Sequence, residues 1–179
     1  MYSTNKKFIE ISILFFLIVI SFSCEKKTTD SSGDDNIGPN VGQVAPDFTL
    51  RDLEDNDITL SSFRGSKVVL LDFWATWCNP CVNYMPLTQS HYDEYANLGL
   101  KVLAINIEGN KNLVQSFMSQ NSYTFTCLLD SGNWGAYTIG LYQINSIPRN
   151  VLIDVEGIVR FNGHPSELST DLIENYLPH

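Results

Sequence analysis

The sequence predicts an α/β domain in which helices flank a central mixed sheet, with a β-hairpin as an N-terminal extension. Continuous apolar runs such as Val68-Val69-Leu70-Leu71 are typical of strands that are buried on both faces. These runs alternate with segments whose apolar residues recur at helical spacing, as in residues 111–120. Alternating strands and helices favour a partly parallel sheet covered by helices. Near the C-terminus, Glu156-Gly157 separates two apolar runs and predicts an antiparallel hairpin.

The predicted elements follow one another as a hairpin and then β-α-β-α-β-α-β-β-α. The hairpin covers residues 47–60, and its acidic turn is interpreted as solvated rather than as a metal site; the residues concerned are Asp52, Glu54, Asp55 and Asp57. The later strands are predicted at 68–74, 100–107, 125–129, 150–154 and 158–162, and the helices at 78–97, 111–120, 135–142 and 169–177. Pro86 is expected to kink or restart the first helix.

The N-terminus has the features of a secretory signal peptide over residues 1–23. Lys6 and Lys7 precede an apolar run at residues 11–22, and Ser23 is small. As a helix this run reaches about 18 Å, which is less than the ~30 Å hydrocarbon core of a bilayer. An uncleaved N-terminal anchor is the alternative to a cleaved signal, and in either case we expect the rest of the chain to lie outside the cytoplasm.

Residues 24–42 are predicted to form a disordered tether, which leaves one folded domain at 43–179. The tether is dominated by polar and charged residues, so it has little apolar surface to bury. The whole chain of 179 residues has a formal net charge of −9. This charge disfavours nucleic acid and anionic lipid surfaces as partners.

The strongest chemical motif is the cysteine pair in Trp77-Cys78-Asn79-Pro80-Cys81. At the predicted start of a helix, Cys78 lies among free backbone N–H groups at the positive end of the helix dipole, which stabilise a thiolate. Cys81 lies one turn further on and can resolve a mixed disulfide formed at Cys78. The alternatives are a structural disulfide and half of a zinc site, but the chain has no second CxxC and no suitably spaced His pair. We interpret the pair as redox-active and expect no cofactor and no metal.

Two stretches of the chain resemble a known family. Residues 72–81, Asp-Phe-Trp-Ala-Thr-Trp-Cys-Asn-Pro-Cys, are similar to the active-site stretch of thioredoxins. The opening Ala45-Pro46-Asp47-Phe48-Thr49-Leu50 and the layout after Ile107 resemble the TlpA-like group of exported, membrane-anchored thioredoxin-like proteins, of the redoxin (AhpC/TSA) type. From about Val41 onwards, the resemblance implies a thioredoxin fold and disulfide exchange with protein substrates. It also implies a disulfide reductase supplied by a membrane electron donor.

A second resemblance concerns the end of the predicted signal peptide. Ser21-Phe22-Ser23-Cys24 is similar to a bacterial lipoprotein signal, although Ser21 stands where an aliphatic residue is usual. It implies that Cys24 carries a lipid, and the alternative is an ordinary cleaved signal in which Cys24 has no role. The domain is then expected in the cell envelope, on the periplasmic side and anchored to a membrane.

The thioredoxin resemblance also implies roles for residues outside the pair. Ile147-Pro148 falls where the family has a cis-proline loop that faces the cysteines and pairs with the substrate backbone. Asp72 stands where thioredoxins have a buried carboxylate, and it is expected to accept the proton of Cys81. The alternatives are a trans bond at Pro148 and an Asp72 that points to solvent. The expected substrate-binding residues are Trp77, Asn79, Pro80 and Ile147.

Three positions qualify this assignment. Tyr84 stands where many anchored relatives have glutamate, so we hypothesise that Asp72 takes over proton transfer. Trp74 is expected either beside the cysteine pair or in the core. Cys127, in a predicted strand, is expected to be a buried and inert thiol.

Two other functions compete with disulfide exchange. A thiol peroxidase of peroxiredoxin type shares the Pro46-Asp47-Phe48 opening, but Ala75 stands where those enzymes resemble one another in having threonine. The other rival is a thioredoxin fold that serves only as a binding module, against which the intact CxxC pair argues.

Overall fold

Seven strands form one mixed sheet in the computed structural model, which describes residues 36–178. The strands are β1 Thr49–Asp52, β2 Asp57–Thr59, β3 Val68–Trp74, β4 Leu100–Asn106, β5 Thr126–Leu129, β6 Arg149–Ile153 and β7 Val159–Gly163. The helices are α1 Asn79–Tyr95, α2 Lys111–Gln120, α3 Tyr137–Leu141 and α4 Thr170–Glu174. The predicted signal peptide, Cys24 and residues 25–35 of the predicted tether lie outside the described residues. Within 36–178, none of the helices combines the length and the apolar character needed to cross a membrane.

The strand order is β2-β1-β5-β4-β3-β6-β7. Strand β3 pairs in parallel with β4 and antiparallel with β6, and β4 pairs in parallel with β5. The β1–β2 hairpin joins the sheet antiparallel to β5. All seven residues of β3 are buried, as its continuous apolar run predicted. The predicted α/β class, with a mixed sheet, flanking helices and a hairpin extension, is confirmed.

Helix α1 carries the cysteine pair at its N-terminal end. Cys78 is the N-cap, and Pro80 lies in the first turn, where its missing N–H costs no helical hydrogen bond. The helix continues through Pro86 without a restart, and it ends at Tyr95 in a 3-10 turn rather than at residue 97. Its buried face includes Cys81 and Thr88, which therefore both face the sheet.

The folded domain begins earlier than the predicted boundary at residue 43. Residues 36–42 belong to it: the Gly42 N–H donates to the carbonyl of Val159 and the Val159 N–H donates to the carbonyl of Gln43, both at 2.9 Å. In addition, Asn162 Nδ2 donates to the carbonyl of Pro39 at 2.8 Å. The segment therefore covers the outer edge of β7. The polar composition of this segment predicted disorder, but these contacts use backbone groups rather than apolar side chains, so composition does not reveal them.

The acidic turn between β1 and β2 is only partly solvated. Asp52 is 7% exposed, and its Oδ1 accepts from the backbone N–H groups of Glu54 and Asn56, both at 2.9 Å. Its Oδ2 accepts from Asn56 Nδ2 at 3.0 Å. The prediction of a solvated turn is therefore wrong for Asp52, whose buried carboxylate closes the turn by accepting hydrogen bonds from Glu54 and Asn56. The other three acidic residues are exposed.

Candidate active site

The two cysteines of the motif are joined in a disulfide at the start of α1. Cys78 and Cys81 form the bond with their Cα atoms 5.2 Å apart. The backbone N–H of Cys81 donates to Sγ of Cys78 at 3.2 Å. This donor and the positive end of the helix dipole both favour negative charge on the Cys78 sulfur. The same arrangement therefore stabilises the Cys78 thiolate once the bond is reduced.

The two sulfurs differ in access. Both residues are buried, Cys78 at 5% and Cys81 at 2% exposed, but Cys78 lines an open groove of about 400 Å³ and Cys81 does not. We call this feature the cysteine groove; its other lining residues are Trp77, Asn79, Pro80, Trp134, Asn145, Ser146 and Ile147. All four predicted substrate-binding residues thus lie in one groove beside Cys78. This arrangement makes Cys78 the sulfur that a substrate can reach and Cys81 the one that stays behind it.

The loop before β6 forms the wall of the groove opposite the cysteines. The Ile147–Pro148 peptide bond is cis, and Pro148 is buried. The carbonyl oxygen of Ile147 lies 3.9 Å from Sγ of Cys78. An extended chain whose disulfide reached Cys78 would therefore lie against the backbone of this loop, in the manner of an added β-strand.

Asp72 is buried in the core rather than pointing to solvent. It is 3% exposed on β3, and Thr88 Oγ1 donates to its Oδ2 at 2.8 Å. Burial raises the pKa of Asp72 to about 6, although the side chains of Thr88 and Asn150 partly offset this by hydrogen bonding to the ionised form. A carboxyl group with this pKa is mostly ionised at neutral pH, so it can accept a proton there.

Tyr84 contacts His164, a residue for which no role was predicted from the sequence. Its ring meets the His164 ring edge-on, with the centroids 5.0 Å apart. His164 in turn caps the 3-10 turn Pro165–Glu167, where its Nδ1 lies 2.8 Å from Ser166 Oγ. An aromatic contact therefore stands where many anchored relatives have a glutamate.

Glu108 holds the loop that precedes the cysteines, a role that was not predicted from the sequence. The backbone N–H of Thr76 donates to Glu108 Oε2 at 2.6 Å, and the Thr76 hydroxyl donates to the same carboxylate at 3.0 Å. The order of the predicted strands could have identified Glu108. Neighbouring parallel strands end at the same edge of a sheet, so a residue that closely follows β4 meets the loop that follows β3.

Trp134 is the second residue that the sequence did not single out. It lies in the loop after β5, and its ring centroid is 6.4 Å from that of Trp77. The signal that could have found it is a tryptophan in the polar stretch Ser131-Gly132-Asn133-Trp134-Gly135, where no core is expected.

The remaining two candidates belong to the core. Trp74 is fully buried and packs on Phe117, with the ring centroids 5.2 Å apart. Cys127 is a free thiol that is 3% exposed, and burial raises the pKa of this thiol far above its ordinary value. Cys127 is therefore inert at neutral pH. Among residues 36–178, no group of three or more His, Cys, Asp or Glu side chains could hold a metal ion.

Comparison with protein families agrees with this geometry. The model of the AhpC/TSA family matches residues 41–162. The thiol-disulfide oxidoreductase ResA of Geobacillus kaustophilus is 37% identical over 120 residues, which are 67% of each chain. The thiol-disulfide oxidoreductase ResA of Oceanobacillus iheyensis is 34% identical over 152 residues, covering 80% of this chain and 74% of that one.

Solved structures of similar proteins share the fold. The thioredoxin domain of a thiol-disulfide oxidoreductase from Bacteroides vulgatus superposes with a TM-score of 0.65 at 25% identity, covering 76% of this chain and 94% of that one. A protein from Chlorobium tepidum, provisionally named thiol:disulfide interchange protein DsbE, gives a TM-score of 0.68 at 30% identity. That match covers 78% of this chain and 99% of the other. The predicted thioredoxin fold is confirmed.

Proposed function

We propose that this chain, which belongs to the AhpC/TSA family and is a protein thiol–disulfide oxidoreductase, works as a disulfide reductase on exported proteins. The observation that carries the proposal is the placement of the pair. The Cys78 sulfur receives the Cys81 N–H at the N-terminus of α1 and lines an open groove, while Cys81 lies behind it.

The reduction occurs in two exchanges. The Cys78 thiolate attacks one sulfur of the client disulfide, forms a mixed disulfide and releases the other client cysteine as a thiolate. Cys81 then attacks Sγ of Cys78, which releases the second client thiolate and forms the Cys78–Cys81 disulfide. Two electrons pass from the pair to the client. A dithiol donor must then reduce the pair, and we propose that this donor is a membrane protein.

The buried carboxylate supports the second of these exchanges. Cys81 must lose its proton to attack the mixed disulfide, and Asp72 has a pKa raised by burial to about 6. Thr88, which holds Asp72, lies on the same buried face of α1 as Cys81. Asp72 is therefore ionised at neutral pH and is the proposed acceptor of that proton.

The reduction potential of the Cys78–Cys81 pair tests the proposed direction. It is measured by equilibrating the protein in glutathione or dithiothreitol buffers and counting free thiols. A value near the thioredoxin end, roughly −270 mV, is expected for a reductase. A value near roughly −120 mV would make the protein an oxidant and overturn the proposal.

A peroxide assay separates the chain from the peroxidases of its family. Ala75 and the CxxC pair favour exchange between disulfides, so we expect the reduced protein to turn over protein disulfides much faster than hydrogen peroxide. Faster consumption of peroxide would favour the peroxidase function instead.

We also propose that lipid on Cys24 anchors the protein to a membrane on the periplasmic side of the cell envelope. Support comes from the sequence of the predicted signal, which ends in Ser23-Cys24. In cells fed a radiolabelled fatty acid, the wild-type chain and a Cys127→Ser control should be labelled and sediment with membranes. The Cys24→Ser variant should be unlabelled and remain in the soluble fraction. Labelling of Cys24→Ser would refute the anchor at this position.

A further inference from the structure

Two of the three tryptophans of the chain lie together on the surface beside the cysteine pair. Trp77 is 52% exposed and Trp134 is 51% exposed, whereas Trp74 is fully buried. We call Trp77 and Trp134 the indole pair; their ring centroids are 6.4 Å apart and their planes are inclined by 59°. Adjacent large apolar side chains that remain exposed mark a surface that a partner covers.

The second indole comes from a loop that the rest of the domain holds in place. The Asn133 N–H donates to the carbonyl of Ile107 at 2.8 Å. On the other side of Trp134, the Asp130 carboxylate accepts from the backbone N–H groups of Tyr137 at 3.1 Å and Thr138 at 2.6 Å. Trp134 is thus presented from a backbone anchored on both sides, so little conformational entropy is lost when a ligand packs on it.

The lack of charge among the described residues that line the cysteine groove limits which side chains can occupy it. None of the eight described residues that line the cysteine groove is charged, while the chain as a whole has a formal net charge of −9. An acidic side chain in the groove would lose hydration without finding a cation, and the field of the protein would repel it. An apolar side chain would instead replace the water on the indole faces.

We propose that the indole pair is a specificity subsite for an apolar, preferably aromatic, side chain adjacent to the reacting cysteine of the client. This inference rests on the proposed reductase function and adds a substrate class to it. The client is an extended protein segment whose disulfide reaches Cys78 between the indole pair and the Ile147 carbonyl. Aromatic rings favour such a site because inclined aromatic contacts add to the gain from burial alone.

The test compares symmetric disulfide dimers of short peptides. The peptides have the form Ser-Gly-X-Cys-Gly-Ser, with X as Phe, Ser or Glu, and a second series places X directly after the cysteine. The reduced wild-type protein is mixed with each dimer, and the released peptide thiol is alkylated and quantified by chromatography. We expect the Phe peptide to be reduced about fivefold faster than the Ser peptide in at least one series. The Glu peptide should be the slowest.

Variants of one loop locate the effect. In Trp134→Ser the ratio of the Phe to the Ser rate should fall to about one, and Trp134→Phe should retain most of it. Tyr137→Ser is the matched control, because Tyr137 is 57% exposed in the same region but does not line the cysteine groove. It should retain the wild-type ratio.

Three outcomes overturn the inference. Equal rates for Phe and Ser peptides in both wild-type series, or an unchanged ratio in Trp134→Ser, would show that the indole pair does not select substrates. If Tyr137→Ser lowered the ratio of the Phe to the Ser rate as much as Trp134→Ser does, the ratio would depend on the conformation of the loop and not on the Trp134 side chain. A wild-type protein that reduces none of the peptides would instead count against the reductase function itself.

Discussion

The hydroxyl of Thr88 on α1 donates a 2.8 Å hydrogen bond to the buried carboxylate of Asp72 on β3. This contact ties the helix that begins at the cysteine pair to β3, an interior strand of the sheet. Because Asp72 is buried, this hydrogen bond rather than water fixes the orientation of its carboxylate. Two predictions depend on the ionisation of this carboxyl group.

The first prediction concerns the rate at which the mixed disulfide is resolved. In wild-type protein the rate should rise as pH increases through about 6, because Asp72 then becomes ionised and can accept the proton of Cys81. Asp72→Asn should lower the rate at pH 7 by roughly 100-fold and remove this step from the profile. Stopped-flow release of client thiol measures it, with the exposed Asp171→Asn as control. An unchanged pH profile in Asp72→Asn would eliminate Asp72 as the acceptor.

The second prediction concerns stability of the oxidised protein. The pKa of Asp72 is higher in the folded state, about 6, than in the unfolded chain, so the folded state holds the proton more tightly. The resulting stabilisation is complete below about pH 4 and is lost as pH rises through about 6. Because one pKa unit corresponds to ~1.4 kcal/mol, ionised Asp72 should cost the fold about 3 kcal/mol at pH 7 relative to its protonated form.

Urea unfolding at pH 4 and pH 7 measures this cost as a difference between two proteins. Asp72→Asn cannot ionise, so its free energy of unfolding relative to wild type should improve by a few kcal/mol between the two pH values. Other titrating groups cancel in the comparison. Parallel pH dependences of the two proteins would show that Asp72 does not have a raised pKa.

The third prediction concerns the clamp between Glu108 and Thr76. Glu108→Ala leaves the backbone N–H and the hydroxyl of half-buried Thr76 without their charged acceptor. We expect a loss of about 2 kcal/mol in the free energy of unfolding. A double-mutant cycle with Thr76→Val should give a coupling energy of about 1 kcal/mol or more. Additive losses would mean that the two side chains do not stabilise each other.

The fourth prediction concerns the contact between α3 and the segment before β1. Tyr142 is 1% exposed, and its hydroxyl donates to the carbonyl of Pro46 at 2.8 Å. Tyr142→Phe leaves that buried carbonyl unpaired and should cost about 1–2 kcal/mol in thermal or urea unfolding. Tyr137→Phe, at an exposed ring, should change stability by less than ~0.5 kcal/mol. Equal effects of the two substitutions would contradict the assignment of this bond.

The order of the elements and the chemical motif can be predicted from the sequence alone. The burial of β3 and the place of Cys78 at the start of a helix follow from local patterns: a continuous apolar run, and a proline that fits a first turn. Each of these features depends on residues that are close along the chain. The resemblance to thioredoxins rests on the same short stretches, and the fold and the oxidoreductase activity that it implied are confirmed.

The distant residues that complete the site become evident only in the folded domain. Trp134 stands beside Trp77, and Glu108 holds Thr76, because parallel strands bring their following loops to one edge of the sheet. The cover that residues 36–42 provide for β7 depends on backbone hydrogen bonds, which composition does not encode. These contacts join segments far apart in sequence, so they exist only once hydrophobic burial has folded the chain and the loss of loop entropy has been offset.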